Sequence, residues 1–340
     1  MNILILRFSA IGDVAMTVPV VDTLARAHPD DRFTVVSQSF LQPLFAYCPG
    51  NVLFEGVDLK GEHKGIAGIY RLYGKLRQNR YDAVADLHDV LRTKLLRFFF
   101  RCSGLKIRHI DKGRKEKRLL VAGKRKQQLK TSVERYADVF RALGLAVNVD
   151  FISIFGTGKG DLAHIAPFTG TKTGKWIGIA PFAKHTGKIY PLERTEQLVA
   201  QLSGRTDVTL FLFGGGETEK QTLGDWASKY PNTMMVAGKI KLADELILIS
   251  HLDVMFSMDS ANMHIASLTA TPVVSVWGAT HPYTGFYGYR QQPNMAVQTD
   301  LPCRPCSVYG NKACHRKDYA CMMLIPPERV MGILATPYTK

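Results

Sequence analysis

The chain begins MNILILRFSAIGDVAMTVPVVDTL, in which the carboxylate Asp13 follows an apolar run. That run, Ile3–Leu6, predicts a buried strand, and the residues after Asp13 predict a helix. A strand, a tight turn and a helix are typical of the start of a dinucleotide-binding unit, whose turn holds a phosphate. This turn has a single glycine, and a carboxylate repels a diphosphate, so the first half should not hold a nucleotide. Asp13 facing a cleft could instead take a proton from a hydroxyl group, or it could only cap the helix.

Three predicted strand ends in the second half carry residues suited to binding an anion. They are FGGGETE, with Gly214, Gly215 and Glu217; SMDSANMHIA, with Asp259, Ser260 and His264; and APFAKHTGKIYPLE, with Lys184 and Lys188. Each alone has a structural interpretation as a turn, a helix cap or a core histidine. Ligands of open α/β sheets lie beyond the carboxyl ends of the strands, where helix N-termini attract negative charge. Together the three segments therefore predict a diphosphate site, with Glu217 accepting a hydrogen bond from a ribose hydroxyl.

Alternating strand-like and helical patterns predict the elements that position these residues. The strands expected in the first half are Ile3–Leu6, Phe33–Ser37, Ala83–Asp86 and Leu105–His109. Residues 156–175, GTGKGDLAHIAPFTGTKTGK, break the alternation and predict a linker, after which the pattern restarts. The sequence thus predicts an α/β protein of two Rossmann-like domains facing across a cleft, residues 1–165 and 166–340. The second domain includes a Cys-rich segment, 303–321, and a C-terminal helix.

Composition limits the class of protein. A chain of 340 residues that is 46% hydrophobic and 21% charged is globular and long enough for two cores. It starts directly with a strand and has no apolar run of about 20 residues, so we expect a cytoplasmic protein. The net charge of +15 favours an acidic partner, namely nucleic acid, an anionic membrane or a phosphorylated substrate. Arg101–Lys130 holds 12 Lys or Arg against two acids, which could also be a plain solvated surface.

Four stretches together resemble the lipopolysaccharide heptosyltransferases, glycosyltransferase family nine. They are ILILRFSAIGDVAMTVPVVDTL, APFAKHTGKIYPLERTEQLV, FLFGGGETE and FSMDSANMHIASLTATPVVSVWGATHP, which cover nearly the full length in the family's order. The resemblance implies a GT-B fold whose C-terminal domain binds the nucleotide sugar and whose N-terminal domain binds the acceptor. It also implies transfer with inversion and without a metal ion, from an ADP-sugar carrying heptose or a related sugar to the lipopolysaccharide inner core.

The same resemblance assigns roles to individual residues. Asp13 matches the family's general base, and Lys188 matches its lysine before an aromatic-proline pair, although Tyr190 stands where the family usually has tryptophan. Asp259 and Ser260 match the family's Asp-Ser/Thr-Gly helix start, with Ala261 in place of glycine and His264 following. Lys188, Ser260, His264 and helix amides are thereby expected to stabilise the leaving diphosphate in place of a metal.

The implied acceptor, lipid A with its inner-core sugars, is anionic and lies at the cytoplasmic face of the inner membrane. We therefore expect peripheral membrane association and no nucleic-acid partner. The basic segment is expected to guide the acceptor through Lys112, Arg114, Lys115, Lys117 and Arg118.

Four cysteines cluster near the C-terminus, at Cys303, Cys306, Cys314 and Cys321. One hypothesis is a structural zinc site of four thiolates; the other is reduced or redox-paired cysteines, because the second pair is spaced by six residues rather than two. Two other functions remain as alternatives. A basic nucleic-acid-binding protein on a Rossmann-like scaffold would explain the charge but lacks a recognisable reader module. A nucleotide-sugar epimerase or dehydrogenase would need a Gly-x-Gly-x-x-Gly turn after the first strand.

Overall fold

The structure is a computed structural model that describes residues 1–335. They form two compact units, each built around one parallel sheet. Unit 1 comprises Met1–Lys112 and Ser132–Gly156, and unit 2 comprises Gly113–Thr131 and the chain from Thr157 onwards.

The strands in chain order are β1 Asn2–Leu6, β2 Arg32–Gln38, β3 Val52–Val57, β4 Ala83–Asp86, β5 Lys106–His109, β6 Lys175–Ala180, β7 Val208–Leu212, β8 Thr233–Met235, β9 Val254–Met258, β10 Val273–Trp277 and β11 Ala296–Gln298. The helices are α1 Ile11–Ala15, α2 Val18–Ala27, α3 Gly65–Leu76, α4 Leu91–Cys102, α5 Arg114–Val121, α6 Ser132–Leu143, α7 Leu162–Thr169, α8 Leu192–Ser203, α9 Glu217–Lys229, α10 Leu242–His251, α11 Ala261–Leu268, α12 Ala320–Met323 and α13 Pro327–Ala335.

The sheet of unit 1 has the strand order β3-β2-β1-β4-β5. The apolar run of β1 forms the central strand of this sheet, because a parallel sheet covered by helices on both faces buries every side chain of a central strand. Leu4 and Leu6 are fully buried and pack in a cluster with Phe100 of α4. The chain builds the sheet in one direction through β2 and β3, then returns to place β4 on the other side of β1. The order therefore reverses between β1 and β4, where Leu6 is in register with Asp86.

The sheet of unit 2 repeats this plan with the order β11-β10-β9-β6-β7-β8. Its strands are also apolar on both faces, and Ile177, Leu210 and Phe256 belong to one buried core. The order reverses between β6 and β9, where Ala180 is in register with Ser257. Such reversals are the points at which open α/β sheets leave a crevice for a ligand beyond the strand ends.

The predicted alternation of strands and helices is confirmed in both units, with two differences. The linker predicted at 156–175 is wrong in part, because it contains α7, whose N-terminus is capped by the Asp161 carboxylate accepting from the Ala163 N–H at 3.0 Å. The domain boundary also differs from the predicted 165/166. Residues 113–131 pack with unit 2, where the Leu129 N–H donates to the Tyr283 carbonyl at 3.0 Å.

Within residues 1–335, no helix combines the length and apolarity needed to cross a membrane.

Candidate active site

The first candidate site lies at the strand-order reversal of unit 1, where Asp13 forms an ion pair with Arg7. The Arg7 Nη2 lies 2.7 Å from the Asp13 Oδ2, and the Ala10 N–H donates to the same oxygen at 3.3 Å. Arg7 is held in turn by donating from Nη1 to the Leu87 carbonyl at 2.7 Å and by stacking on the Tyr136 ring, 5.7 Å from its centroid. Asp13 therefore both closes the first turn of α1 and keeps a fixed carboxylate, one-third exposed, at the end of β1.

His88 follows β4 at the same reversal and contacts the loop after β1. The Phe8 N–H donates to the His88 Nδ1 at 3.4 Å, so a neutral ring carries its proton on Nε2. Burial, followed by the nearby charges of Arg7 and Lys112, lowers the pKa of His88 to about 3. His88 is therefore uncharged at neutral pH. The ion pair beside it is formed by Arg7, which follows β1, and Asp13 of α1.

The second candidate site lies at the strand-order reversal of unit 2 and contains a second ion pair. Lys188 ends a short 3₁₀ turn after β6, and its Nζ lies 2.9 Å from the Oδ2 of Asp259, which follows β9. Thr280, just after β10, donates its hydroxyl to the same oxygen at 2.8 Å. The Asp259 side chain is 3% exposed and that of Lys188 is 17% exposed, so the ammonium is the part of this pair that solvent reaches.

Helix α11 begins next to this ion pair. Ser260 is its N-cap residue in an extended conformation, and its hydroxyl lies 3.2 Å from that of Ser257. Ala261 starts the helix, and the buried His264 lies one turn further. The structure thus brings together Lys188, Asp259 and the N-terminus of α11, where unpaired amides can bind an anion.

The glycine-rich turn after β7 is arranged differently from the prediction. The Gly215 N–H already donates to the Glu219 carboxylate at 2.7 Å, and Gly214 lies beside the same side chain. Glu217 is 90% exposed and pairs with Lys220 at 2.7 Å. A diphosphate could bind these amides only after displacing Glu219. β7 is next to β6 in the sheet, so the turn lies near the Lys188 loop, in which Lys184 is exposed.

Arg304 is a buried residue of this region that sequence reasoning missed. It donates to the carbonyls of Gly278 at 2.5 Å and Thr280 at 2.9 Å, and from the same guanidinium to the Gln298 side chain at 3.1 Å. Arg304 thereby fixes the loop that presents Thr280 to Asp259. Its position in the Cys-rich segment, far along the chain from Gly278 and Thr280, gave no signal. The other missed residue, Arg7, did have a sequence signal, because a charged residue directly after a buried strand requires a partner.

The five predicted acceptor cations divide between the two units. Lys112 belongs to unit 1, where its Nζ donates to the Asp89 carbonyl at 3.2 Å. Arg114, Lys115 and Arg118 are exposed on α5 of unit 2, whereas Lys117 is buried with its ammonium 4.0 Å from the centre of the Phe286 ring.

The four clustered cysteines are free thiols. Cys321 is buried and the other three are half-buried, and burial raises the pKa of Cys306 and of Cys321. Across residues 1–335, no group of three or more His, Cys, Asp or Glu side chains is placed to hold a metal ion. In this arrangement the four thiols form no such group, and a zinc site in the Cys-rich segment stays a prediction.

Solved structures share this fold. The chain matches Escherichia coli ADP-heptose lps heptosyltransferase II with a TM-score of 0.72 at 19% identity, covering 98% of this chain and 97% of the other. It matches E. coli heptosyltransferase WaaC with ADP-2-deoxy-2-fluoro heptose with a TM-score of 0.67 at 18% identity, covering 98% and 99%. Two Rossmann-like units of this kind define the GT-B class of glycosyltransferases, as predicted.

Sequence comparison identifies the family. The profile of glycosyltransferase family 9 (heptosyltransferase) matches residues 69–316, and the chain belongs to this family. A curated relative, lipopolysaccharide heptosyltransferase 3 of Escherichia coli (strain K12), is 24% identical over 282 residues, which is 79% of this chain and 80% of the relative. The protein is therefore a glycosyltransferase, an assignment favoured over both the nucleic-acid-binding and the epimerase or dehydrogenase alternatives.

Proposed function

We propose that this enzyme transfers a heptose or a related sugar, with inversion, from an ADP-sugar to the inner core of lipopolysaccharide. The observation that carries the proposal is the Lys188–Asp259 pair at the N-terminus of α11, because it offers a fixed cation where a leaving diphosphate would gain charge. The similar proteins are named as heptosyltransferases. The names that include ADP-heptose support this donor, and the names that include lipopolysaccharide support this acceptor.

In this proposal Lys188 is the main group that stabilises the leaving diphosphate. An ammonium has three N–H donors, and Asp259 takes one of them, which leaves the others to reach phosphate oxygens. The α11 amides at Ala261, the Ser260 hydroxyl and His264 add hydrogen bonds and partial positive charge on the same side. With the charge neutralised in this way, transfer should need no divalent ion, and it should persist in the presence of a chelator.

Asp13 is the general base of the proposed reaction. Arg7 and the Ala10 amide both bind the Asp13 Oδ2, which leaves the Oδ1 to accept the proton of the acceptor hydroxyl. That hydroxyl then attacks the anomeric carbon on the side opposite the diphosphate, so the C–O bond forms as the bond to the leaving phosphate breaks. Inversion of the anomeric centre follows from this direction of attack.

We also propose that unit 1 contacts the membrane that carries the acceptor. On α4, the spacing of Leu91, Lys94, Phe98 and Arg101 puts two apolar and two basic side chains on one face, and all four are exposed. Tyr70 of α3, also exposed, lies beside this helix, its ring 5.4 Å from that of Phe99. Exposed aromatic and basic residues on one helix face are typical of an interfacial helix on an anionic lipid surface.

The proposal is tested first by calorimetric binding of ADP, UDP, GDP and CDP without divalent metal. Wild type should prefer ADP, and Lys188→Ala should weaken ADP binding about tenfold or more, because it removes a charge-assisted contact. Lys229→Ala, which removes an exposed lysine at the C-terminal end of α9 in unit 2, is the control and should leave the affinity unchanged. Absence of any nucleoside diphosphate binding, or equal affinities for Lys188→Ala and wild type, would contradict the proposed donor site.

A further inference from the structure

Unit 2 contains a large cavity that the proposed reaction does not yet use. Its volume is about 740 Å³, within the range of small-molecule sites. Part of its lining is the face of α5 that carries Arg114 and Arg118, and another part is the Cys-rich loop with Tyr309, Lys312 and His315. All of these residues belong to unit 2, so the cavity is a feature of that unit alone.

Phe286 holds these two parts of the lining together. The Lys117 ammonium of α5 lies 4.0 Å from the Phe286 ring centre, and the ring of Tyr309 lies 5.7 Å from Phe286. A cation over an aromatic face and a neighbouring ring both stabilise the contact. Lys117 is buried by this contact, so its role is to position α5 rather than to meet a ligand.

The side chains that line the cavity suit an anionic saccharide. Arg114, Arg118 and Lys312 line it with positive charge, and among the described residues no Asp or Glu lines it. Tyr309 offers a half-exposed ring on which the C–H face of a sugar can stack. Arginine side chains bind phosphate and carboxylate groups through paired hydrogen bonds.

The Cys-rich loop also reaches the proposed diphosphate site. Gly310 has φ +76°, and a Cβ there would lie 2.5 Å from the Lys188 Cγ, so the backbone of this loop packs directly on the Lys188 side chain. The Cys306 and Ser307 N–H groups donate to the Ala279 carbonyl, and the Ala279 N–H donates to the Gly187 carbonyl. One loop thus forms a wall of the cavity and fixes the residue beside Lys188.

We infer that this cavity binds the phosphate or carboxylate groups of the saccharide acceptor, with Arg118 of α5 and Lys312 of the Cys-rich loop as two of the cations that hold them. The inference rests on the proposed function and adds to it a site formed by the Cys-rich segment, for which the sequence suggested either a zinc site or reduced or redox-paired cysteines. It also separates the predicted acceptor cations, because Arg114 and Arg118 line the cavity whereas Lys115 does not.

The test compares Arg118→Ala and Lys312→Ala with wild type and with Lys124→Ala. Lys124 is an exposed lysine of the same unit that does not line the cavity, so its variant is the matched control. The probe is a deacylated, phosphorylated lipopolysaccharide core oligosaccharide, titrated by calorimetry before and after phosphatase treatment. ADP is titrated separately, and transfer is measured for KM and kcat.

Each cavity variant should bind the oligosaccharide about tenfold more weakly and raise its KM by a similar factor, since each loses one charge-assisted contact. ADP affinity and kcat should change less than about twofold, and Lys124→Ala should match wild type. Weaker binding after phosphatase treatment would assign the anion as phosphate, and unchanged binding would assign it as carboxylate.

The inference is overturned if Arg118→Ala and Lys312→Ala bind the oligosaccharide like Lys124→Ala while the wild type transfers sugar. The acceptor would then bind elsewhere and the proposed function would stand. The opposite outcome is also distinguishable. If the wild type binds the oligosaccharide but neither binds ADP nor transfers sugar, and both cavity variants bind the oligosaccharide more weakly, the cavity is supported and the proposed function is rejected.

Discussion

At the scale of residues, the two candidate sites use the same kind of ion pair with opposite exposure. In unit 1 the cation is the buried partner, with Arg7 7% and Asp13 33% exposed. In unit 2 the carboxylate is the buried partner, with Asp259 3% and Lys188 17% exposed. The first pair therefore presents a carboxylate, which suits proton abstraction, and the second presents an ammonium, which suits an anionic leaving group.

Replacing Asp13 by Asn tests the role of the first carboxylate. The amide fills nearly the same volume but cannot accept the acceptor's proton, so kcat should fall by about a hundredfold to ten-thousandfold. ADP affinity should remain within about twofold of wild type, because the amide group at this position in unit 1 adds no contact to the donor diphosphate. Transfer rates and ADP calorimetry on the same preparation measure both quantities.

Asp30→Asn is the control for that substitution, since Asp30 is an exposed carboxylate of the same unit. It should leave kcat and ADP affinity unchanged. Loss of ADP affinity in Asp13→Asn would assign Asp13 to the donor site instead, and full retention of kcat would remove it from catalysis.

At the scale of elements, the sequence predicted the strands that are buried on both faces, and of the two edge strands of unit 1 it predicted β5 but missed β3. The apolar run of β1 and the run WIGIA of β6 are unambiguous because every residue faces a core. The edge strand β3 has mostly half-buried residues and gave no such run. Helix α7 was missed because Gly and Thr surround it and Pro167 lies inside it, features that usually indicate a loop.

A residue of the candidate sites was predictable only where it lies close in sequence to the strand that positions it. Asp259 directly follows β9, and Asp13 and Lys188 lie in the segments that come next after β1 and β6, so strand position was enough to locate them. The partners that orient them come from elsewhere in the chain. Thr280 reaches Asp259 only because β9 and β10 are adjacent, and Arg304 reaches Thr280 through a loop that no periodic pattern describes.

The approach of the Cys-rich loop to the Lys188 turn depends on a glycine. Gly310 has a positive φ, and a methyl group there would overlap the Lys188 side chain. Gly310→Ala should therefore lower the free energy of unfolding by about 2 kcal/mol and weaken ADP binding by displacing the ammonium. Chemical denaturation and ADP calorimetry measure the two effects.

Gly74→Ala provides the opposite case. Gly74 lies within α3 with no neighbouring atom where a Cβ would be placed, so alanine should raise the free energy of unfolding by about 0.5–1 kcal/mol. ADP binding should not change in this variant. Equal stability effects at the two glycines would mean that the loop does not press on Lys188.

At the scale of the whole molecule, the net charge of +15 is distributed over surfaces with different neighbours. Some cations are held internally, as in the Arg7 and Arg304 contacts, and cannot meet a partner. Others stand next to exposed apolar groups, and the α4 face with Lys94 and Arg101 beside Phe98 is the clearest example. Charge alone would make binding to any polyanion equally favourable, whereas charge combined with exposed aromatic rings favours a lipid surface.

The membrane proposal predicts binding of the enzyme to vesicles that contain phosphatidylglycerol and weak binding to pure phosphatidylcholine. About 1 M NaCl should release most of the protein, because screening removes the contribution of the basic residues. The double variant Tyr70→Ser/Phe98→Ser should bind about tenfold more weakly at low salt, since two large apolar side chains no longer enter the interface.

The control is Leu324→Ser, at an exposed apolar position of unit 2, which should bind like wild type in the same vesicle sedimentation assay. If the α3 and α4 variant and the Leu324 variant bind equally well, the contact is purely electrostatic or lies on another surface, and Tyr70 and Phe98 do not enter the membrane interface.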